Sequence, residues 1–173
     1  MFEIKPFDPQ AYRRQTRRST MLVAVIFVAL AMLLSSLAVM LFGEPGGDNF
    51  RFNVGGVLAG VVLTVALVRG PFWSQAWLAP AVYGWQLKRN LMRVTNLMHK
   101  VNEQVQANDP SAIKLLRFYH LGLTQMHELD ANSSAQAQLV RDMDAHKAKM
   151  QALGIELEQP RLDPAWLEAV KGR

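Results

Sequence analysis

Four histidines, His99, His120, His127 and His146, are the side chains of this sequence best suited to metal or proton chemistry. His120 and His127 stand seven residues apart on one helix face, and His146 falls on the apolar seam of the following helix. Two or three imidazoles gathered in this way could ligate a transition metal. The spacing argues against it, because the chain has neither Glu-x-x-His nor His-x-x-x-His, the intervals that place two ligands on adjacent turns. Histidines in or beside such a seam need no ligand if a polar edge stays wet. With no cysteine, thiolate sites and disulfides are excluded. The serines occupy caps, loops and an apolar run without a nucleophile elbow, and no glycine loop leads into Lys-Ser/Thr. Gly43–Gly47 is rich in glycine but carries acids, and the carboxylates lie along helix exteriors. The expectation is of no catalytic residue, no metal, no cofactor and no enzyme.

A different chemistry is offered by Arg69–Leu87, RGPFWSQAWLAPAVYGWQL, which holds Trp73, Trp77, Tyr83 and Trp85 and no charge after Arg69. Indole and phenol rings are apolar bodies with one polar handle, and they gather where hydrocarbon meets water. Pro71 suits the first position of a new helix, and Pro80 and Gly84 mark bends. We read residues 69–86 as an interfacial aromatic elbow. Its membrane-interface residues are Arg69, Trp73, Trp77, Tyr83 and Trp85, continued by Lys88 and Arg89.

That reading requires membrane spans to place it. Met21–Phe42 is a run of 22 residues without charge, about 33 Å long as a helix, enough to cross the hydrocarbon core. It is too long for a signal peptide, and its one Ala-x-Ala, Ala29–Ala31, lies in the middle, so it reads as a retained span. Its hydroxyls, Ser35 and Ser36, can bond to the carbonyls of their own helix. Val54–Val68 is a shorter second span, lengthened by snorkelling of Arg51 and Arg69. The loop 43–53, GEPGGDNFRFN, must turn, so the two spans form a helical hairpin. Within the second span, Gly56-x-x-x-Gly60 smooths one face for helix packing, against the first span or against a second protomer.

The formal charge of +5 suggests a nucleic-acid partner until it is divided along the chain. Residues 1–20 carry +3, the loop 43–53 carries −1, residues 69–100 carry +5 and residues 101–173 carry −2. The basic excess therefore flanks the spans, which is the positive-inside pattern. It predicts both termini in the cytoplasm and the loop outside. No nucleic-acid role follows, since the distal part is acidic.

Beyond residue 86 the apolar period becomes helical. Leu87, Leu91, Val94, Met98, Val101 and Val105 step by four and three along a helix expected to end near Asn108. Asp109-Pro110 opens a second helix with Ala112, Leu116, Tyr119, Leu123 and Met126 on one face, broadened by Ile113 and Leu115. A third carries Leu139, Met143, His146, Met150 and Leu153 and stops at Gly154. The predicted domain is an antiparallel bundle or coiled-coil hairpin over residues 87–158. Asp163-Pro164 then caps a short helix within the tail 159–173, where Trp166, Leu167 and Val170 can dock on the bundle or on a partner. No strand is expected. The fold class is an all-α membrane protein.

A basic N-terminus, a two-span hairpin, the FW-x3-W-x7-W stretch from Phe72 to Trp85 and a helical tail together resemble a family of small proteobacterial inner-membrane proteins catalogued as a domain of unknown function. The resemblance covers nearly the full chain. It implies a bacterial inner-membrane location and brings no activity. The resulting expectation is a non-enzymatic protein presenting a cytoplasmic bundle, as an accessory or assembly subunit or a self-associating scaffold. Its partners would be membrane lipids and a second copy or a larger membrane complex. The alternative is a protein responsive to anionic lipid or envelope stress, with the elbow and its basic flank reading headgroups.

Overall fold

Three Asp-Pro pairs start helices in this chain. Proline at a first helical position gives up an N–H that has no partner there anyway, and the preceding aspartate accepts an orphaned N–H of the first turn. Asp8 Oδ1 accepts from Ala11 N at 2.6 Å, Asp109 from Ser111 N and Ala112 N at 2.9 and 3.1 Å, and Asp163 from Ala165 N at 2.8 Å. The helices they open are α1 (Pro9–Phe42), α5 (Pro110–Asp130) and α7 (Pro164–Lys171). The structure, a computed structural model, describes residues 1–132 and 136–172, with the backbone alone at 136–139. Helices α2 (Phe50–Arg69), α3 (Ala79–Thr95), α4 (Met98–Gln106) and α6 (Gln136–Ala152) complete the set among the described residues.

One expected boundary is corrected. Helix α1 begins at Pro9, well before the uncharged run, because Asp8-Pro9 nucleates it, and α2 begins at Phe50, ahead of Val54. The single helix expected from Leu87 to Asn108 is two, broken at Asn96 and Leu97. There Thr95 Oγ1 donates to the Leu91 carbonyl at 3.0 Å, a back-bond that bends helices, and Leu97 N turns to the Val94 carbonyl three residues back. Gly154 ends α6 as expected. It has φ +65°, its N–H bonds to the Gln151 carbonyl, and the Ile155 N–H reaches the Met150 carbonyl at 2.9 Å, completing a Schellman motif.

The chain divides into two compact units, one of Arg14–Val82 and one of Met1–Arg13 with Tyr83–Arg173. In the first, α1 and α2 pack through small residues. Gly56, Gly60 and Thr64 are the buried positions of α2. A Cβ on Gly56 would collide with the backbone of Ser35 and Leu34, and one on Gly60 would lie 2.9 Å from the Ala31 Cα. As the α2 number rises by four the α1 number falls by four, so the helices are antiparallel. The glycine pair is therefore used within the chain. Ser35 Oγ does not bond within its own helix but donates to the Asn53 carbonyl of α2 at 2.9 Å.

In the second unit α5 is central, packing against α4, α6 and α7. Fully buried Phe118, Leu115, Val94, Val101 and Val170 form its core, so the tail helix docks on the domain itself. Of the predicted seam, Leu91, Val94, Val101, Leu116 and Met150 are buried, while Met98, Leu123 and Met143 are half-buried; Leu139 lies outside the described side chains. The α5 seam is wider than a heptad stripe and includes Phe118, because neighbours cover this helix on several sides.

Two strands, unexpected from the sequence, also belong to this unit. β1 (Phe2–Glu3) pairs antiparallel with β2 (Arg161–Leu162), Phe2 opposite Leu162. The segment around β1 packs Phe2, Ile4 and Phe7 against a cluster of Tyr12, Tyr83, Leu87, Leu91 and Leu129. Lys5 N–H donates to Tyr83 Oη at 3.1 Å, the phenol donates to Gln125 Oε1, and Gln125 Nε2 returns a bond to the Lys5 carbonyl. Tyr83→Phe should cost about 1–3 kcal/mol, since it leaves both the Lys5 N–H and the Gln125 oxygen without their partner. Denaturant midpoints of the two proteins in one mild detergent measure this; equal midpoints would mean the ring of bonds contributes nothing.

Candidate functional site

The aromatic stretch is divided between the two units. In the helix-pair unit, Arg69 lies over the Trp73 ring at 5.5 Å, and Phe72 and Trp77 meet edge to face at 5.5 Å. Ser19, itself buried, places its Oγ 2.5 Å from the Trp77 carbonyl, so the turn after α2 is tied to α1. Trp73 and Trp77 are half-buried. In the other unit Trp85 is 38% exposed, with the Arg89 guanidinium 5.0 Å above its ring. Lys88 pairs with Asp130 at 2.9 Å on the surface, an ion pair of small energetic weight.

Tyr83 is a correction. It was expected among the interface residues, yet it is a core residue, 7% exposed, stacked on Phe2 at 5.7 Å and against Phe7 at 4.6 Å. Burial pushes its phenol pKa up, against the opposing effect of its bonds from Lys5 and to Gln125. A ring so enclosed by its own domain has no face left for lipid.

The sequence did not anticipate how α5 and α6 place their polar groups. His120 and His146 meet edge to face at 5.2 Å, both nearly fully buried, with Arg117 buried beside them. Arg117 Nε donates to the Leu157 carbonyl at 2.9 Å, while its Nη1, His120 Nδ1 and both nitrogens of His146 are buried without a partner. The expectation of a wet polar edge is thereby overturned for His146, both of whose nitrogens are enclosed, while for His120 it is Nδ1 that is enclosed. Burial, each other's proximity and the Arg117 charge hold His120 at about 4, with Asp142 opposing and Lys147 adding slightly. Burial first, then Arg117 and Lys149, hold His146 at about 4. Burial likewise lowers the Arg117 pKa, with Glu158 opposing. Both rings are therefore neutral near pH 7. His99 and His127 stand apart from them: His99 pairs with Glu103 at 3.2 Å. Among the described residues no three His, Cys, Asp or Glu side chains converge as a metal site would need.

Fold and sites define a helical protein with two helices long and apolar enough to cross a membrane and a separate helical domain built on a closed core. The chain belongs to the family described as Protein of unknown function (DUF3087), whose model matches residues 2–167. No curated protein and no solved structure matches it.

Proposed function

We propose that α1 and α2 anchor this protein in the bacterial inner membrane with both termini in the cytoplasm. On this reading the helical domain is non-enzymatic and serves protein partners, as an accessory or assembly subunit of a membrane complex or as a self-associating scaffold. The observation that carries the anchoring is the outer surface of the helix pair. Met32, Met40, Leu58 and Val62 are each 60–74% exposed, and Val28, Leu33 and Val65 are more than half exposed, while the only buried positions of α2 are Gly56, Gly60 and Thr64. A contiguous apolar surface of this kind is unfavourable in water and favourable in lipid. The domain's seams are spent on its own core, so a partner would have to use its outer surface.

Reporter fusions test the topology. A fusion at Asp48 should be active only in the periplasm and one after residue 172 only in the cytoplasm; a periplasmic C-terminal reporter would refute the two-span reading. Native mass spectrometry of protein solubilised at its natural expression level tests the partner role. A stoichiometric second polypeptide or an integer multiple of the chain supports it. A lone chain retaining only anionic phospholipid would instead favour the lipid-responsive alternative.

A further inference from the structure

The geometry points to a phosphate-ester binding site in the cleft between α3 and the β1–β2 pair. The cleft has a volume of about 410 Å³. That is within the usual range for small-molecule pockets. One wall is the face of α3 that carries Gln86, Arg89, Asn90 and Arg93, with Trp85 at its edge; the other is apolar, from Phe2 and Leu162. Helical spacing sets this wall up: positions 86, 89, 90 and 93 share a face, while Leu87, Leu91 and Val94 are buried on another side of the same helix.

No carboxylate lines the cleft, and neither arginine is in an ion pair among the described residues, whose salt bridges lie at Lys88, His99, Lys147 and Arg161. Both guanidinia are oriented by neutral neighbours. The Arg89 guanidinium carbon sits 5.0 Å over the Trp85 ring centroid, a cation–π contact that positions the side chain without supplying an anionic partner. Arg93 Nη1 is 3.4 Å from Asn90 Oδ1, and Asn90 Nδ2 is itself fixed on the Gln86 carbonyl at 2.8 Å. Two forked cations one helical turn apart, with amides between them, suit a tetrahedral anion with several oxygens better than a single carboxylate. The apolar wall leaves room for the organic part of an ester. A phospholipid headgroup and a soluble phosphate monoester both present this chemistry.

The site is independent of whether the domain has a protein partner. The test is calorimetric titration of the full chain in a neutral detergent with two probes, glycerol 3-phosphate and short-chain phosphatidylglycerol. Saturable binding of either probe is expected, weakened on the order of tenfold by Arg89→Gln or by Arg93→Gln. Lys114→Gln, the same charge change on α5 outside the cleft, should leave affinity within about twofold. Binding of glycerol 3-phosphate identifies a soluble ester as sufficient; binding of the lipid probe alone identifies the headgroup with its glyceride. The proposal fails if neither probe saturates, or if Lys114→Gln weakens binding as much as the two arginine variants do. A circular-dichroism spectrum unchanged from the parent keeps each variant interpretable.

Discussion

Gly56→Leu should separate α2 from α1, lowering the thermal midpoint of the protein in mild detergent by on the order of 10 °C. The Cβ it adds would meet the backbone of Ser35 and Leu34, not the end of a side chain that could swing away. Overpacking a yielding core costs about 1–3 kcal/mol; here no atom can yield without moving a whole helix, so about 3 kcal/mol is the smallest reasonable cost. Gly55→Leu is the control, because a Cβ at Gly55 has nothing within 4 Å. It should leave the midpoint unchanged. The size of the detergent-solubilised particle also matters. Since the glycines pack against Ala31 and Ser35 of their own chain, Gly60→Ile should destabilise the protein without dissociating an oligomer. Equal loss from Gly55→Leu and Gly56→Leu, or an oligomer broken by Gly60→Ile at unchanged stability, would exclude the packing described here.

Acid should release α6 from α5. His120 and His146 are bases held in the folded protein at about 4, against an ordinary value of 6.5. Between those two values the unfolded chain takes up protons that the folded chain refuses. Their contribution to stability is therefore complete above about pH 6.5 and is lost as the pH falls through 4. One such group accounts for about 3 kcal/mol between pH 7 and pH 4, and the pair interacts, so its total is not twice that. The groups around the pair are mostly cationic: Arg117 on α5, and Lys147 and Lys149 on α6, against Asp142. A proton added there finds more repulsion than compensation. Helix α6 should become susceptible to protease near pH 4.5 while resisting it at pH 7, and His120→Leu with His146→Leu should flatten that dependence. Ring resonances from both histidines titrating near their ordinary value would show that the pair is hydrated and would remove the basis of the effect.

Both results concern residues whose types were visible in the sequence but whose surroundings were not. Local rules determined a good deal by themselves. An uncharged run from Met21 to Phe42 can only be a long apolar helix, whatever surrounds it. Asp109-Pro110, Asp163-Pro164 and Gly154 set helix ends, because a cap is satisfied by atoms within four residues. Asp8-Pro9 carries the same information about the start of α1, ahead of the apolar run that begins at Met21. Gly56 and Gly60 announced a close helix approach, though not which helix would make it.

Tertiary structure decided what depends on distant partners. Tyr83 looked like an interface residue because it lies among tryptophans, yet its hydroxyl receives the Lys5 N–H across 78 residues of sequence. The β1–β2 pair joins the two ends of the chain in two-residue strands too short to have a period of their own. Phe118 lies off the heptad stripe, and it is buried because α5 is enclosed on several sides. Arg117, His120 and His146 form a cluster only because α6 folds back onto α5, and periodicity along one helix contains no information about what the next helix brings to it. Burial is a property of the assembled neighbours, and for these residues the neighbours come from elsewhere in the chain.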